Sequence, residues 1–268
     1  MRRPAPAVLA GLALASTLLA SCGSTPSVGA PSASSGATQA SVTAVSGAIT
    51  VFAAASLTDA FETLGAQFQK AHPGTTVRFN VGASSALATQ ITQGAPADVF
   101  ASASAATMDT VVAAKAAASP MTFAQNVMQI AVPPGNPAHI DALADLATPG
   151  VKVALCQVAV PCGSVAATVL ANARLTVTPV TQEADVRSAL AKVQLGEVDA
   201  GLVYVTDVLA ARGKVTGIDI PAEVNASTSY PIAALTASKN PSLATAFVDY
   251  VLSADGVSVL AAAGFRQP

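Results

Sequence analysis

An α/β fold is what this chain of 268 residues predicts, on three observations. Short apolar runs alternate with segments whose apolar residues recur every three or four positions. Small residues, mainly Ser, Gly and Ala, stand at each handover from run to segment. No internal repeat and no run of charge interrupts the pattern. Strands alternating with amphipathic helices argue for a layered fold of parallel strands with helices packed on them.

The first segment, "MRRPAPAVLAGLALASTLLASC", is of a different kind. Two arginines precede an apolar run too short and too poorly flanked to span a membrane, and Leu19-Ala20-Ser21-Cys22 has the form of a lipobox. Residues 1 to 21 are therefore expected to be a lipoprotein signal peptide, with Cys22 the first mature residue, carrying lipid on its thiol and amine. A plain cleavage site beside a chance cysteine is the alternative, and leader and lipobox together outweigh it. From Cys22 to residue 47 the chain is rich in Ser, Ala, Thr, Gly and Pro, and residues 24 to 47 carry no charged or aromatic side chain. Such a stretch buries too little apolar surface to offset ordering and reads as a flexible leash.

The folded part is expected from about residue 48. "AITVFAA" reads as a strand buried on both faces, ending in three alanines and Ser56. Leu57, Phe61, Leu64 and Phe68 then form the stripe of a helix that stops before "HPG", and Ser56 is placed to cap it. "TVRFNV" alternates as a second strand. "GASSALATQITQG" follows as small turn and helix, with Leu87 and Ile91 on one face. "ADVFASAS" and "SAATMDTVVAAKA" repeat strand and helix, and "NVMQIAV" is a short strand before "PPGNP". A second cycle runs from "DALADLATPGVKVALC" through the helices "GSVAATVLANARL" and "EADVRSALAKVQLG". It closes with the strands "DAGLVYV" and "YPIAALTAS" and the helix "PSLATAFVDYVLS". Two such units, divided near residues 131 to 140, would bring strand ends and helix N-termini face to face across a cleft.

Charge and cysteine usage narrow the function. Removing the leader takes away Arg2 and Arg3 and no acid, which moves the formal charge from −2 to −4. Clustered Lys and Arg, as nucleic acid or an anionic membrane surface would require, are missing from the sequence. Cys156 and Cys162 stand six apart in a chain expected to be exported, which favours a disulfide over a metal pair. The only histidines, His72 and His139, are remote in sequence from both.

The residues alone bear on several chemistries. "GASSA" is one residue short of the G-x-S-x-G nucleophile elbow, which opens a serine-hydrolase reading, but only His139 follows the serines as a base and no acid stands near it to orient it. Phosphate-loop and dinucleotide fingerprints are missing. Asp59, Asp98, Asp185, Asp199 and Asp207 lie near turns and read as caps and solvated charges, with Arg187 as a surface partner for Asp185. Ser56, Ser84 or Ser85, and Gly163-Ser164 each stand where the chain enters a helix. Each would offer a hydroxyl together with unpartnered amides, and several such ends aimed at one cleft would hold an anion without Lys or Arg.

The blocks "ITVFAAASLTDAF", "GASSALATQITQGAPADVFASA", "PCG", "ADVRSALAKV", "GLVYVTDV" and a terminal "GF" occur in that order from about residue 48 to 266. They resemble the periplasmic molybdate-binding proteins of ABC transporters. The resemblance implies a periplasmic binding protein type II fold over 48 to 268, two α/β lobes with a hinge and a ligand cleft between them. Lobe 1 would be about 48 to 130 plus the C-terminal part, and lobe 2 about 140 to 230. It also implies a ligand set: the hydroxyls of Ser56, Ser84 (with Ser85 as the alternative) and Tyr204, and the backbone amides of Cys162 and Val186. The family often has Ala where this chain has Cys162, a departure that a backbone contact tolerates while the side chain bonds Cys156. Molybdate, and with it tungstate, would be ligand rather than cofactor. The partners would be the membrane subunits of an ABC permease, with no enzymatic activity and no nucleic acid. The protein would be an exported monomer held to the outer face of the cell membrane by lipid alone. A protein selective for tungstate, sulfate or thiosulfate is the nearest alternative, and none of the five mapped positions is acidic.

Overall fold

The computed structural model describes residues 45–268. The expected signal peptide, Cys22 and nearly all of the expected leash lie outside the described residues. The chain begins with β1 (Gly47–Ala54), which passes through a 3₁₀ turn (Ala55–Leu57) into α1 (Thr58–Ala71). It continues as β2 (Thr75–Gly82), α2 (Ser84–Thr92), β3 (Val99–Ala101), α3 (Ala105–Ala113) and the long strand β4 (Met121–Val132). Then come β5 (Val153–Cys156), α4 (Pro161–Asn172), β6 (Thr181–Glu183), α5 (Val186–Gln194), β7 (Ala200–Tyr204), α6 (Val205–Ala210) and β8 (Thr216–Asp219). The last elements are β9 (Ser227–Ala234), α7 (Pro241–Leu252) and α8 (Ala254–Ala262).

Two sheets share β4. In the first lobe the strand order is β2-β1-β3-β9-β4. In the second, β4 lies between β8 and β7, with β5 and β6 beyond β7. Residues Met121 to Val127 of β4 pair with β9, and from Met128 onward the strand pairs with β7 and β8. The first crossing between lobes is thus the middle of a strand, earlier than the expected break at 131 to 140. The Pro and Gly cluster that suggested the break is a turn after β4. Asn136 closes that turn by donating to the Ile140 carbonyl, and Ile140 belongs to the second core. The second crossing is the segment from Ile220 to Ala226. Asn225 ties the two together by donating through Nδ2 to the Met128 carbonyl at 2.9 Å.

Parallel pairing, expected throughout, holds for β2-β1-β3 and for β7-β5-β6. β9 is antiparallel to β3 and β4, and β4 is antiparallel to β7 and β8 as well. A strand's direction depends on the route by which the chain returns, which local apolar pattern does not encode.

The apolar stripes pack as their periods require. Phe61, Leu64 and Phe68 of α1 face the first sheet together with α7 and α8, while α2 and α3 cover its other side through Leu87 and Met108. Phe247 of α7 sits at the centre, with its ring 5.3 Å from Phe68 and 6.2 Å from Phe61. In the second lobe β5 and β7 are buried along their whole length, which accounts for their unbroken apolar runs. Replacing Phe247 with Ala empties a fully buried site against three rings, and is expected to cost about 3–5 kcal/mol. Urea unfolding of Phe247→Ala would show this as a lower midpoint.

Candidate functional site

A small cavity lies between the lobes where strand ends and helix starts of both meet. Its walls are Ala54 to Ser56 at the end of β1, Gly82 to Ser84 between β2 and α2, Ala103 after β3, Val160 to Cys162 at the start of α4, Asp185 and Val186 at the start of α5, and Tyr204 at the end of β7. All five residues implied by the resemblance, Ser56, Ser84, Cys162, Val186 and Tyr204, come together here. Ser84 rather than Ser85 lines the wall. Ser164 does not line it and is exposed on α4. The cavity offers about 20 Å³ to the centre of a water-sized sphere, where a single water needs roughly 10–15 Å³ by the same measure. Only a compact ligand fits.

The polarity of the lining follows from how the helices start. The residues before the 3₁₀ turn, α2 and α4 are Ala54, Ala83 and Val160, and none has a side chain that caps the following amides. Amides in the first turn of a helix have no intrahelical acceptor, so those of Ser84 and Cys162 remain available at the cavity wall. Ser56, expected to cap α1, does not: its hydroxyl is 2.9 Å from that of Tyr230. Ser84 Oγ accepts from the Ala103 amide at 3.0 Å. Tyr204, 1 % exposed, has a hydroxyl with no hydrogen-bond partner. An orphaned buried hydroxyl costs free energy unless a ligand meets it.

Cys156 and Cys162 are joined in a disulfide that closes the loop between β5 and α4. The next residue has to be glycine, because a Cβ on Gly163 would lie 1.9 Å from the Gln157 carbonyl oxygen. The bridge occupies the Cys162 side chain, so what this residue can offer the cavity is its amide.

Positive charge is arranged behind the cavity rather than in it. No Lys, Arg or His lines the wall. Asp185 does, which adds a carboxylate where the five mapped positions have none. Both its oxygens accept from Ser188, through the amide at 3.0 Å and the hydroxyl at 3.2 Å, so it caps α5. Arg187 is not a surface partner of Asp185: it pairs with Asp59 of α1 in the other lobe and, through Nε at 3.1 Å, with Asp207. Asp207 is likewise no solvated charge. It is fully buried and accepts from the Tyr204 amide at 3.1 Å. Asp98 and Asp199 tie loops down by accepting from the amides of Thr50 and Lys152. His139 is exposed and does not line the cavity, which leaves the serine-hydrolase reading without its base. Among the described residues no cluster of His, Cys, Asp or Glu could hold a metal ion.

Tyr230, Asn126, Ala103 and the Asp59–Arg187–Asp207 chain were not anticipated. The family model for bacterial extracellular solute-binding proteins matches residues 49–266, the whole extent of these two lobes. The chain belongs to that family. This solute-binding protein is 45% identical over 221 residues to the molybdate-binding protein ModA of Mycobacterium tuberculosis, covering 82% of this chain and 85% of the relative. It is 34% identical over 231 residues to ModA of Escherichia coli, covering 82% and 89%. The periplasmic molybdate-binding protein of Azotobacter vinelandii superposes with a TM-score of 0.74 at 22% identity, covering 82% of this chain and 99% of that one. The sulfate-binding protein SubI of Mycobacterium tuberculosis does so with a TM-score of 0.73 at 21% identity, covering 82% and 86%. At such identities the two structures establish the fold, the two-lobed type II binding-protein architecture. The binding protein is not an enzyme, and what it binds is carried as a ligand rather than used as a cofactor.

Burial pushes the Asp207 carboxyl up from 3.8 to about 7, against the pull of Arg187 and the Tyr204 amide and with a small push from Asp185 and Asp59. In the unfolded chain the same group titrates near its ordinary value. Between those two pH values the native state holds a proton that the unfolded state has lost, so Asp207's contribution to stability falls as pH rises from 3.8 to about 7 and is level above. Urea unfolding of the native protein and of Asp207→Asn across that range should differ in slope, with the variant flatter. Equal slopes would mean that Asp207 titrates as an ordinary carboxylate.

Proposed function

We propose that this chain captures molybdate, with tungstate as a second ligand, and delivers it to the membrane subunits of an ABC permease. The observation that carries the reading is the cavity wall: hydroxyls and unpartnered amides converge from both lobes, with no cationic side chain among them. Molybdate and tungstate are dianions that carry no proton at neutral pH, so the donors suit them, and the one carboxylate at the wall, Asp185, has both oxygens engaged by Ser188. Hydrogenphosphate would set its own proton against a donor. Sulfate is smaller and would not reach every donor of a wall spaced for the larger ion. The names of the relatives support the same ligand.

In this reading the ion is held by the hydroxyls of Ser56, Ser84 and Tyr204 and the amides of Cys162 and Val186. Hydrogen bonds to a charged group contribute roughly 1.5–3 kcal/mol each. Five of them, less the cost of ordering two lobes and one ion, leave on the order of 8 kcal/mol or more, a sub-micromolar dissociation constant. Residues 1 to 21 act as the export signal, and Cys22 carries the lipid that holds the protein to the outer face of the membrane. The stretch to residue 47 is the leash, and residues 48 to 268 are the binding domain, working as a monomer. The lobes close by flexing at the two crossings, with Arg187 and Asp59 meeting as they do.

Thermal unfolding with molybdate, tungstate, sulfate and hydrogenphosphate tests the ligand. An anion at a hundred times its dissociation constant adds about 2.7 kcal/mol to the folded state. The expected result is a rise in Tm with molybdate and tungstate and little with the other two, and no rise with either metal oxide would end the reading. Tyr204→Phe is expected to weaken molybdate binding about tenfold to a hundredfold by calorimetric titration. Without ligand it should unfold no earlier than the native protein, because the hydroxyl it loses has no partner within the protein.

A further inference from the structure

Behind Ser56 lies a buried chain of polar groups whose direction can be read from donors that are unable to accept. The Val127 amide donates to Asn126 Oδ1 at 3.0 Å, which fixes which end of the Asn126 side chain is oxygen. Its Nδ2 therefore points the other way, 2.8 Å from Thr206 Oγ1 and 3.5 Å from the Tyr230 hydroxyl oxygen. An amide nitrogen only donates. The lone pairs of Tyr230 thus face Asn126, and its proton is left with one neighbour, Ser56 Oγ at 2.9 Å. Burial holds the Tyr230 phenol well above its ordinary range, so the proton stays on it. Ser56, accepting from Tyr230, has its own proton left for the cavity. The opposite order would set the tyrosine proton against the Asn126 NH₂ group.

The second serine is set by the same logic. The Ala103 amide donates to Ser84 Oγ, and the Ala103 carbonyl accepts from Thr228 Oγ1 at 2.6 Å. A backbone N–H has no other role, so the Ser84 proton is also left for the cavity.

We propose that Tyr230 and Asn126 are positioning residues for selectivity, holding the Ser56 hydroxyl as a donor to the bound ion and so excluding oxyanions that carry a proton. Neither residue lines the cavity. They act through Ser56, and the hydroxyls that surround the ion are donors by construction rather than by adjustment to whatever enters. The inference rests on the molybdate reading above and adds what makes the wall discriminate.

Calorimetric titration at pH 8 with molybdate and with inorganic phosphate tests it. Tyr230→Phe keeps the ring and frees Ser56 to turn. Its molybdate affinity is expected to fall about tenfold, the scale of one charge-assisted hydrogen bond, while phosphate affinity holds or rises, so the ratio narrows. Asn126→Leu leaves the tyrosine in place without the group that directs it, and should move the ratio the same way; if one variant fails to fold, the other decides. Introduced into Ser56→Ala, Tyr230→Phe should add nothing, whereas a role in packing alone would cost as much there as in the native protein. Native-like affinity and ratio in the folded variants, or an equal loss with and without Ser56, overturns the proposal. Failure of the unaltered protein to bind molybdate or tungstate would remove the ligand reading and this proposal together, whereas the former outcomes remove only this one.

Discussion

An anion removed from water into a cavity without a counter-charge has to be met by dipoles that are already in place and already unpaired. This constraint shapes the region between the lobes. Helix starts are ordinarily closed by Ser, Thr, Asp or Asn, because the first amides have no acceptor of their own. Here Ala54, Ala83 and Val160 stand at those positions, so the amides remain open. Of the helices that start at the cavity, α2 and α4 forgo a stabilising cap, whereas α5 keeps one in Asp185. α3 and α8, which face elsewhere, are capped by Ser104 and Ser253.

Holding unpaired dipoles in a fixed direction requires rigid support. Short strands buried on both faces bring the Ala54–Ser56 and Tyr204 segments to the cavity, and the disulfide with Gly163 folds the Cys162 loop tightly onto β5. Positive charge is confined to a second layer, where Arg187 joins Asp207 of its own lobe to Asp59 of the other, while Asp185 at the wall has both oxygens engaged by Ser188. The guanidinium thus acts between the lobes and stays out of the cavity wall, which carries no cationic side chain.

The strand and helix order and the small residues at each handover were legible because each is encoded within a few consecutive positions, whereas the grouping of Ser56, Ser84, Cys162, Val186 and Tyr204 came from the family resemblance. "AAASL" and "GASSA" name their own turns. What escaped was made by distance. Ser56 and Tyr230 are 174 positions apart, and Asn126 and Thr206 are 80 apart, so no local pattern reveals that they touch. Asp207 resembles any acid in the first turn of a helix; its burial comes from packing against Arg187 and the Tyr204 backbone. The antiparallel course of β4 and β9 and the position of the first crossing were hidden for a related reason. One unbroken strand serves both lobes, while the Pro and Gly cluster that looks like a joint is a turn on the surface of one of them.

That continuous strand limits the kind of motion available. A linker of loose chain would let two bodies swing widely at little elastic cost. β4 instead stays paired on either side of its midpoint, and the Asn225 amide straps it to the returning segment. The aperture is then set by the bending stiffness of paired backbone, as in a leaf spring. On the proposed reading, jaws mounted in this way would open by a short, reproducible stroke and return a small ion to the same seat.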